Sequence, residues 1–161
     1  MLEEHFNWQK LSATGGVAWQ PGQPRTRLFL SLDPGSIKAE EVICFLRSLR
    51  RHVSQPVVLL WDRLPGHRSR QVQDYIAAHS DWLHQEWLPP YAPELNPVEY
   101  LWANLDNKHL ANFLPDDLAE LAGELRRAIR RVRRNPDIGL SFIEAAGLIS
   151  KGYVQQLCKD Q

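Results

Sequence analysis

Cysteine is scarce in this sequence, and where it occurs it forms no motif. The two cysteines, Cys44 and Cys158, lie far apart and belong to no CxxC pair or Cys/His cluster. This pattern argues against a disulfide scaffold and against a zinc site, and it predicts a reducing cytoplasm. No apolar run approaches the ~20 residues needed to span a bilayer, and the first residues are acidic where a secretory signal would be basic. We therefore expect a protein that is neither membrane-bound nor exported.

Net charge is also lacking, because 19 basic residues balance 19 acidic ones. No global electrostatic field attracts nucleic acid, so any such binding requires a local basic patch. In contrast, hydrophobic residues make up 43% of the chain, and six of them are Trp. This composition is typical of a globular protein and not of a disordered one. The length of 161 residues fits a single domain.

The hydrophobic pattern predicts a mixture of strands and helices. Pro and Gly at 20–24 separate two β-rich segments and indicate a hairpin. The continuous apolar run at 56–61 is typical of a strand covered on both faces of a sheet. The predicted elements are strands 10–19 and 26–32, a helix capped by Ser36 and ending near His52, strand 56–61, a helix around 72–79, strand 82–88, a helix opening at Asn96-Pro97, a helix from Asp116 to Arg134, and a short helix at 141–148. This order predicts an α/β fold in which helices flank one mixed sheet.

Two carboxylates stand out in this arrangement. Asp62 directly follows the most apolar strand, at the carboxyl end where ligands gather in such sheets; alternatively it is a turn or cap residue. Glu99 lies three residues after the expected cap Asn96, where it either binds a cation at the positive end of the helix dipole or closes a capping box. The residues alone leave both alternatives open. His67 and His109, taken singly, are more typical of surface or hydrogen-bonded histidines than of catalysts.

A basic helix is the one local patch that could attract nucleic acid. Between Leu118 and Arg134, six arginines against two glutamates give a net charge of +4. These arginines are Arg126, Arg127, Arg130, Arg131, Arg133 and Arg134. They could follow DNA phosphates or form a solvated amphipathic face. Five aromatic side chains could stack on unpaired bases, although most Trp and Tyr in a chain of this size serve the core. They are Trp82, Trp87, Tyr91, Tyr100 and Trp102.

Two segments resemble a known family. VVLLWDRLPGHRS at 57–69 and LPPYAPELNPVEYLW at 88–102 look like the second and third catalytic blocks of DDE transposases from mariner-like bacterial insertion sequences. The resemblance covers residues 8–112 and implies an RNase H-like fold. It also implies that Asp62 and Glu99 belong to the carboxylate set that holds two Mg²⁺ or Mn²⁺ ions for DNA strand cleavage and transfer. By the same resemblance, His67 has a structural or DNA-contacting role.

The sequence departs from that family near its amino terminus. The family's first catalytic Asp lies on a strand upstream of the hairpin, and no residue here is assigned that role. Because that strand is central in the family's sheet, its lack predicts unpaired backbone groups beside the hairpin. Rearranged pairing, strand exchange with a second copy, or a polypeptide from an upstream frame could fill the gap, and we favour self-association. Asp106 is a further departure, since the family commonly has Lys there.

Two functions follow as expectations. In the first, residues 8–112 form a truncated catalytic core, residues 116–161 extend the same domain with helices, and this transposase fragment is inactive alone. In the second, the chain is a non-catalytic remnant that binds DNA or oligomerises. The expected partners are DNA and either a second copy or an upstream transposase fragment, with no membrane.

Overall fold

A computed structural model describes residues 10–150 of the chain. Predictions that involve residues 1–9 or Cys158 lie outside this range. The strands and helices are β1 (Leu11–Trp19), β2 (Thr26–Pro34), α1 (Ala39–His52), β3 (Val57–Trp61), α2 (Arg70–Ala78), β4 (Leu83–Trp87), α3 (Pro97–Leu105), α4 (Leu118–Arg133) and α5 (Pro136–Ala145). A 3-10 turn at Pro93–Leu95 precedes α3, and a π-helical turn at Asp106–Leu110 follows it. None of the helices in the described range is long and apolar enough to cross a membrane.

The first two strands form the predicted antiparallel hairpin. β1 pairs with β2 from Leu11, opposite Pro34, to Trp19, opposite Thr26. Gly22 lies in the turn with a φ of 83°, a backbone conformation that favours glycine. This pairing confirms the predicted hairpin. It could be predicted because the turn residues that define it are local in the sequence.

Helix α1 begins later than predicted. Its cap is Lys38 and not Ser36. The Glu41 side chain accepts a hydrogen bond from the Lys38 backbone N–H at 2.8 Å, which is half of the reciprocal pairing of a capping box. The hydrogen bond to the Lys38 backbone also lowers the pKa of the Glu41 carboxyl. The prediction of Ser36 as cap was therefore wrong.

Helix α5 begins earlier than predicted, at Pro136 instead of Ser141. The Asn135 side chain caps it by accepting a hydrogen bond from the Asp137 N–H at 3.1 Å. Asn135 and Pro136, which directly follow the predicted helix 116–134, thus start the next helix, since Pro at the first helical position needs no N–H partner.

The other two strands form a parallel pair, with Val57 opposite Leu83 and Trp61 opposite Trp87. In residues 10–150 this pair and the hairpin are separate two-stranded sheets, so the predicted single mixed sheet is divided. The expected gap beside the hairpin is present in this part of the chain, because no strand there pairs with both β1 and β3. The α/β class, with helices packed on the strands, is confirmed.

Two hydrophobic clusters hold the helices against the strands. The first joins the hairpin to α3, α4 and α5, and its buried members are Leu28, Leu101, Leu105, Ala128, Ile129, Val132 and Phe142. The second joins α1 and α2 to the parallel pair, and its buried members are Val42, Leu46, Trp61, Val72, Ile76, Trp82 and Leu83. Removing these side chains from water is the main favourable contribution to folding.

The opposite face of β3 is uncovered. Val58 and Leu60 are 62% and 43% exposed, so the prediction that β3 is covered on both faces is wrong for the described residues. Successive side chains of a strand point to opposite faces, and Val57, Leu59 and Trp61 belong to the second cluster. The apolar run therefore contains one row packed against helices and one row open to solvent.

Candidate active site

Asp62 lies immediately after β3, where the chain turns away from the sheet. Its Oδ1 accepts hydrogen bonds from His67 Nδ1 at 2.8 Å and from the Leu64 backbone N–H at 3.2 Å. The hydrogen bond from His67 is the largest cause of a lowered Asp62 pKa, which partial burial opposes and the Leu64 bond reinforces. Asp62 is therefore a carboxylate at neutral pH. One of its oxygens makes the contacts within the turn, and the other is free. That oxygen, Oδ2, makes no hydrogen bond within residues 10–150.

His67 is fixed by contacts of its own. Its ring stacks on the Trp61 ring, with centroids 4.3 Å apart and planes at 14°, and Trp61 stacks in turn on Trp87 at 5.7 Å. The Gln73 side-chain amide on α2 donates a hydrogen bond to the His67 carbonyl at 2.8 Å. Because the His67 side chain is only 16% exposed, these contacts hold its ring and, through it, the Asp62 carboxylate. The sequence analysis missed the parts played by Gln73 and Trp61, since neither residue type marks a site by itself.

Glu99 lies in the first turn of α3, whose cap is Asn96 as predicted. The Asn96 side chain accepts a hydrogen bond from the Val98 N–H at 3.1 Å. The Glu99 carboxylate makes no hydrogen bond or ion pair with any residue from 10 to 150. The alternative that Glu99 closes a capping box is therefore not realised. Its exposed side chain lies where the helix dipole favours negative charge.

The ends of β3 and β4 lie side by side, and the chain segments that carry Asp62 and Glu99 both start from these ends. The Leu88 N–H donates to the Trp61 carbonyl at 2.9 Å, directly before Asp62. From this edge, residues 88–96 lead into α3 and Glu99. Both carboxylates are thus connected to one end of the parallel pair, and that they share a cation stays a prediction.

The donor atoms have the chemistry that a hard divalent cation requires. One oxygen of Asp62 and both of Glu99 are without hydrogen bonds to described residues, and Mg²⁺ and Mn²⁺ prefer oxygen ligands. When bound, such ions activate a water or 3′-hydroxyl and stabilise a leaving oxygen. The part of the chain that the structure describes holds no group of three or more potential metal-ligating side chains. Asp62 and Glu99 offer suitable oxygen atoms but no third ligand in this range, so they would form only part of the set of residues that holds an ion.

Three of the six arginines near the end of α4 contact other residues of the protein. Arg127 Nε and Arg131 Nη1 lie 2.8 and 3.3 Å from the two carboxylate oxygens of Glu124. The hydrogen bond from Arg127 is the largest cause of a lowered Glu124 pKa. Arg133 Nε donates to the Leu28 carbonyl at 2.9 Å, which ties α4 to β2. These three arginines have structural partners.

The other three arginines, Arg126, Arg130 and Arg134, are exposed. None of their side chains makes a hydrogen bond, ion pair or ring contact with a residue in the described range. They recur every fourth residue, so they lie about 6 Å apart along the helix axis and form one row. We call them the free arginine row.

A family comparison identifies the class of protein. The family model described as DDE superfamily endonuclease matches residues 18–122, more than half of the 161 residues, and this region contains both Asp62 and Glu99. The chain therefore belongs to the DDE superfamily endonucleases. A search of curated protein sequences finds no significant match.

Solved structures of Mos1 mariner transposase share the fold. The Mos1 paired-end complex with the left transposon end has a TM-score of 0.53 and 18% identity, over 85% of this chain and 54% of that chain. The Mos1 catalytic domain with Raltegravir and Mg has a TM-score of 0.50 and 18% identity, over 88% of this chain and 85% of that chain. The same domain with Raltegravir and Mn has a TM-score of 0.50 and 20% identity, over 86% and 84%.

At these identities the likeness establishes the fold, which is RNase H-like as predicted. The predicted membership of the DDE superfamily is confirmed by the family model. The present chain spans about half the length of the Mos1 chain in the paired-end complex, 54% of it.

Proposed function

We propose that this chain is part of a transposase catalytic core for metal-dependent DNA strand cleavage and transfer. We further propose that it is inactive until another segment supplies a carboxylate. The observation that carries the proposal is the Asp62 carboxylate, which His67 holds at the end of β3 within the region matched by the DDE family. Residues 8–112 would be the core, and 116–161 its helical extension.

In this proposal, Asp62 and Glu99 hold Mg²⁺ or Mn²⁺. His67 occupies one oxygen of Asp62 at 2.8 Å and leaves the other for the ion. A contact of His67 with DNA would use atoms other than Nδ1, because Nδ1 is already bonded to Asp62. The Mos1 catalytic domain has been solved with Mg and with Mn, which supports this choice of ions. Asp62 would hold such an ion through a carboxylate in a fixed orientation, and a bound ion would supply an activated water or hydroxyl.

A partner polypeptide is the proposed source of a further carboxylate and of a further strand. The division into two sheets and the exposure of Val58 and Leu60 at 62% and 43% support an additional contact near β3, because open strands and apolar faces favour association. The partner would be a second copy or an upstream transposase fragment, and we favour a second copy. A solution mass equal to one chain at micromolar concentration would argue against self-association.

The second candidate is a non-catalytic remnant that binds DNA or oligomerises. It is favoured by one observation, the lack of a three-ligand metal group within residues 10–150. In both proposals the α4 arginines bind DNA. The side chains of the free arginine row could do so without breaking a contact to any described residue. Cleavage activity in the presence of a completing partner separates the two candidates.

Calorimetric titration of the full chain with Mn²⁺ tests the metal site. We expect weak binding that Asp62→Asn and Glu99→Gln each abolish. The matched controls are Asp81→Asn, at the opposite end of the parallel pair, and Glu40→Gln, in the first turn of α1; both should bind Mn²⁺ as the wild type does. The chain alone should not nick supercoiled DNA, and robust nicking that Asp62→Asn leaves intact would refute the assignment.

DNA affinity measured over a range of salt concentrations tests the free arginine row. Replacing its three members by Gln should reduce the slope of log K against log [salt] by about 3, roughly one for each lost phosphate contact. Removing the same charge from α1 and its cap, with Lys38, Arg47 and Arg51 changed to Gln, serves as the control. Equal slopes for the two triple variants would mean that the row is a solvated surface.

A further inference from the structure

We propose that Tyr91 is a stacking platform for an unpaired nucleobase beside the candidate carboxylates. This inference rests on the proposed function, since it takes DNA as the ligand. It adds a contact to a base, whereas the arginines of α4 contact phosphates. Four observations carry it: the surroundings of the other aromatic residues, the Tyr91 backbone, the position of its loop, and the anchoring of that loop.

The structure gives the other aromatic candidates a place inside the protein. Trp82 is 3% exposed, and Trp87 stacks on Trp61 at 5.7 Å. Trp102 packs against the first hydrophobic cluster. Tyr91 differs from all of these, because it is fully exposed, at 102% of the reference value. Its side chain makes no hydrogen bond or ring contact with any residue from 10 to 150.

The backbone of Tyr91 is in an unusual conformation. Its φ of 58° is the sole positive value among non-glycine residues of the described range. A bulky side chain in this left-handed region is an outlier, and such residues concentrate at functional sites. Pro90 before it and Pro93 after it restrict the φ angles of the same loop. The chain therefore directs an aromatic ring into solvent by a conformation that Gly would adopt more easily.

The loop that carries Tyr91 leaves the same sheet edge as Asp62. Strands β3 and β4 are parallel and in register up to Trp61 opposite Trp87. The Leu88 N–H then donates to the Trp61 carbonyl at 2.9 Å, three residues before Tyr91. Ligands of open α/β sheets bind outside the carboxyl ends of the parallel strands. Tyr91 is thus on the loop that borders the candidate active site.

The same loop is anchored beyond Tyr91. The Tyr100 hydroxyl lies 3.1 Å from the Glu94 carbonyl and 3.2 Å from the Ala145 carbonyl, so it ties the loop to α3 and α5. The backbone N–H groups of Leu95 and Asn96 donate to the Ala92 and Pro93 carbonyls at 3.1 and 2.9 Å. An exposed ring on an anchored loop loses little conformational freedom when it binds, which favours a preformed contact.

A nucleobase is the partner that this arrangement fits. Every base has an aromatic face, so stacking tolerates any sequence, and it requires a base that is not paired in a duplex. Strand cleavage or joining at the adjacent carboxylates brings ends and unpaired positions to this edge. The Tyr91 ring would hold one such base while the phosphate next to it lies at the metal site.

The test compares two DNA probes on the full chain without divalent metal: a blunt duplex, and the same duplex with a 3′ single-stranded overhang carrying 2-aminopurine. Tyr91→Gly should weaken binding of the overhang probe by roughly 5- to 100-fold, the loss of one base stack. It should change blunt-duplex binding by less than about twofold. Tyr91→Phe keeps the ring and should match the wild type on both probes. Leu114→Ala, which shortens another exposed apolar side chain, 91% exposed, is the control and should also match it.

Folding is checked in the same samples. Because Gly adopts a positive φ without strain, Tyr91→Gly should unfold at the same temperature as the wild type or higher. Unchanged overhang binding by Tyr91→Gly would overturn the inference, as would equal losses on both probes. If the wild type binds neither probe, the proposed function fails and the inference fails with it. A Tyr91 effect that persists while Asp62→Asn leaves Mn²⁺ binding intact would separate the two, since it supports the base contact and contradicts the metal site.

Discussion

Asp62 and Glu99 are two carboxylates of one candidate site, and the chain holds them in different ways. Asp62 accepts hydrogen bonds from His67 and Leu64 at 2.8 and 3.2 Å, whereas the Glu99 carboxylate has no partner in residues 10–150. A fixed carboxylate loses little rotamer freedom on binding an ion, and a free one must be ordered at that moment. Asp62 is thus preorganised by its own loop, whereas Glu99, as a proposed ligand, would become ordered only on binding an ion or a partner.

Trp61→Ala should have the largest effect on stability, and it should make Asp62 less fixed and therefore more like Glu99. The Trp61 side chain is buried at 8% exposure and stacks on the rings of both His67 and Trp87. Its loss should lower the free energy of unfolding by about 3–5 kcal/mol, as for other large-to-small core changes. Released from the stack, His67 should hold Asp62 less well, and the pKa of Asp62 should rise toward its ordinary value. Chemical denaturation measures the first effect, and NMR titration of the carboxyl measures the second.

Trp61→Phe is the control for that experiment. The indole Nε1 is buried without a hydrogen-bond partner in the described residues, so its removal costs no hydrogen bond. Phe keeps an aromatic face for His67, and the change should cost less than about 1.5 kcal/mol. A loss as large as that of Trp61→Ala would contradict the role given to stacking.

Asn96→Ala should destabilise the start of α3, which carries Glu99, by a smaller amount than Trp61→Ala destabilises the protein. The Asn96 side chain accepts from the Val98 N–H at 3.1 Å and caps the helix that carries Glu99. Loss of this cap should cost about 1 kcal/mol of unfolding free energy. Asn96→Asp keeps an acceptor at the same position and should be close to the wild type. Equal stabilities of all three proteins would mean that the cap does not determine where α3 begins.

Local signals in the sequence predicted much of this arrangement. The Pro and Gly of the turn at 20–24 predicted the hairpin, and Asn96-Pro97 predicted the first residue of α3. The position of Asp62 directly after a strand was predicted from the apolar run before it, and β3 confirms that position. Each of these features depends on residues that are adjacent in the chain, so composition and spacing are sufficient to find them.

Features that depend on two distant or reciprocal partners were not predictable in the same way. Ser36 has the better intrinsic preference for a cap, but the helix starts later, where the Glu41 side chain accepts a hydrogen bond from the Lys38 backbone N–H. The contact of Gln73 with the His67 carbonyl follows from how α2 packs. An apolar run also does not reveal whether both of its faces have partners, and therefore the exposure of Val58 was missed.

Acid unfolding should sharpen the comparison through a smaller effect. The pKa of Asp62 is lowered in the folded protein, so its charged form adds stability above the unfolded-chain pKa of about 3.9. This contribution is lost as the pH falls through the folded-state pKa. Because the Asp62 side chain is 39% exposed, we expect less than about 1 kcal/mol. Wild type and Asp62→Asn should therefore differ at pH 5 and converge below the folded-state pKa. His67→Ala, which removes the main cause of the shift, should reduce the difference at pH 5.

The smallest effect is expected for Glu99→Ala, which can be compared with Glu41→Ala. Both glutamates occupy the third position of a helix, after Lys38 and after Asn96, so the helix dipole acts on both alike. Glu41 accepts a hydrogen bond from the backbone N–H of its cap at 2.8 Å, and Glu99 accepts none. Glu99→Ala should therefore change the free energy of unfolding by no more than about 0.5 kcal/mol, and Glu41→Ala should lower the melting temperature further. If Glu99→Ala were the more damaging change, the carboxylate would have a structural partner, and its availability as a metal ligand would have to be given up.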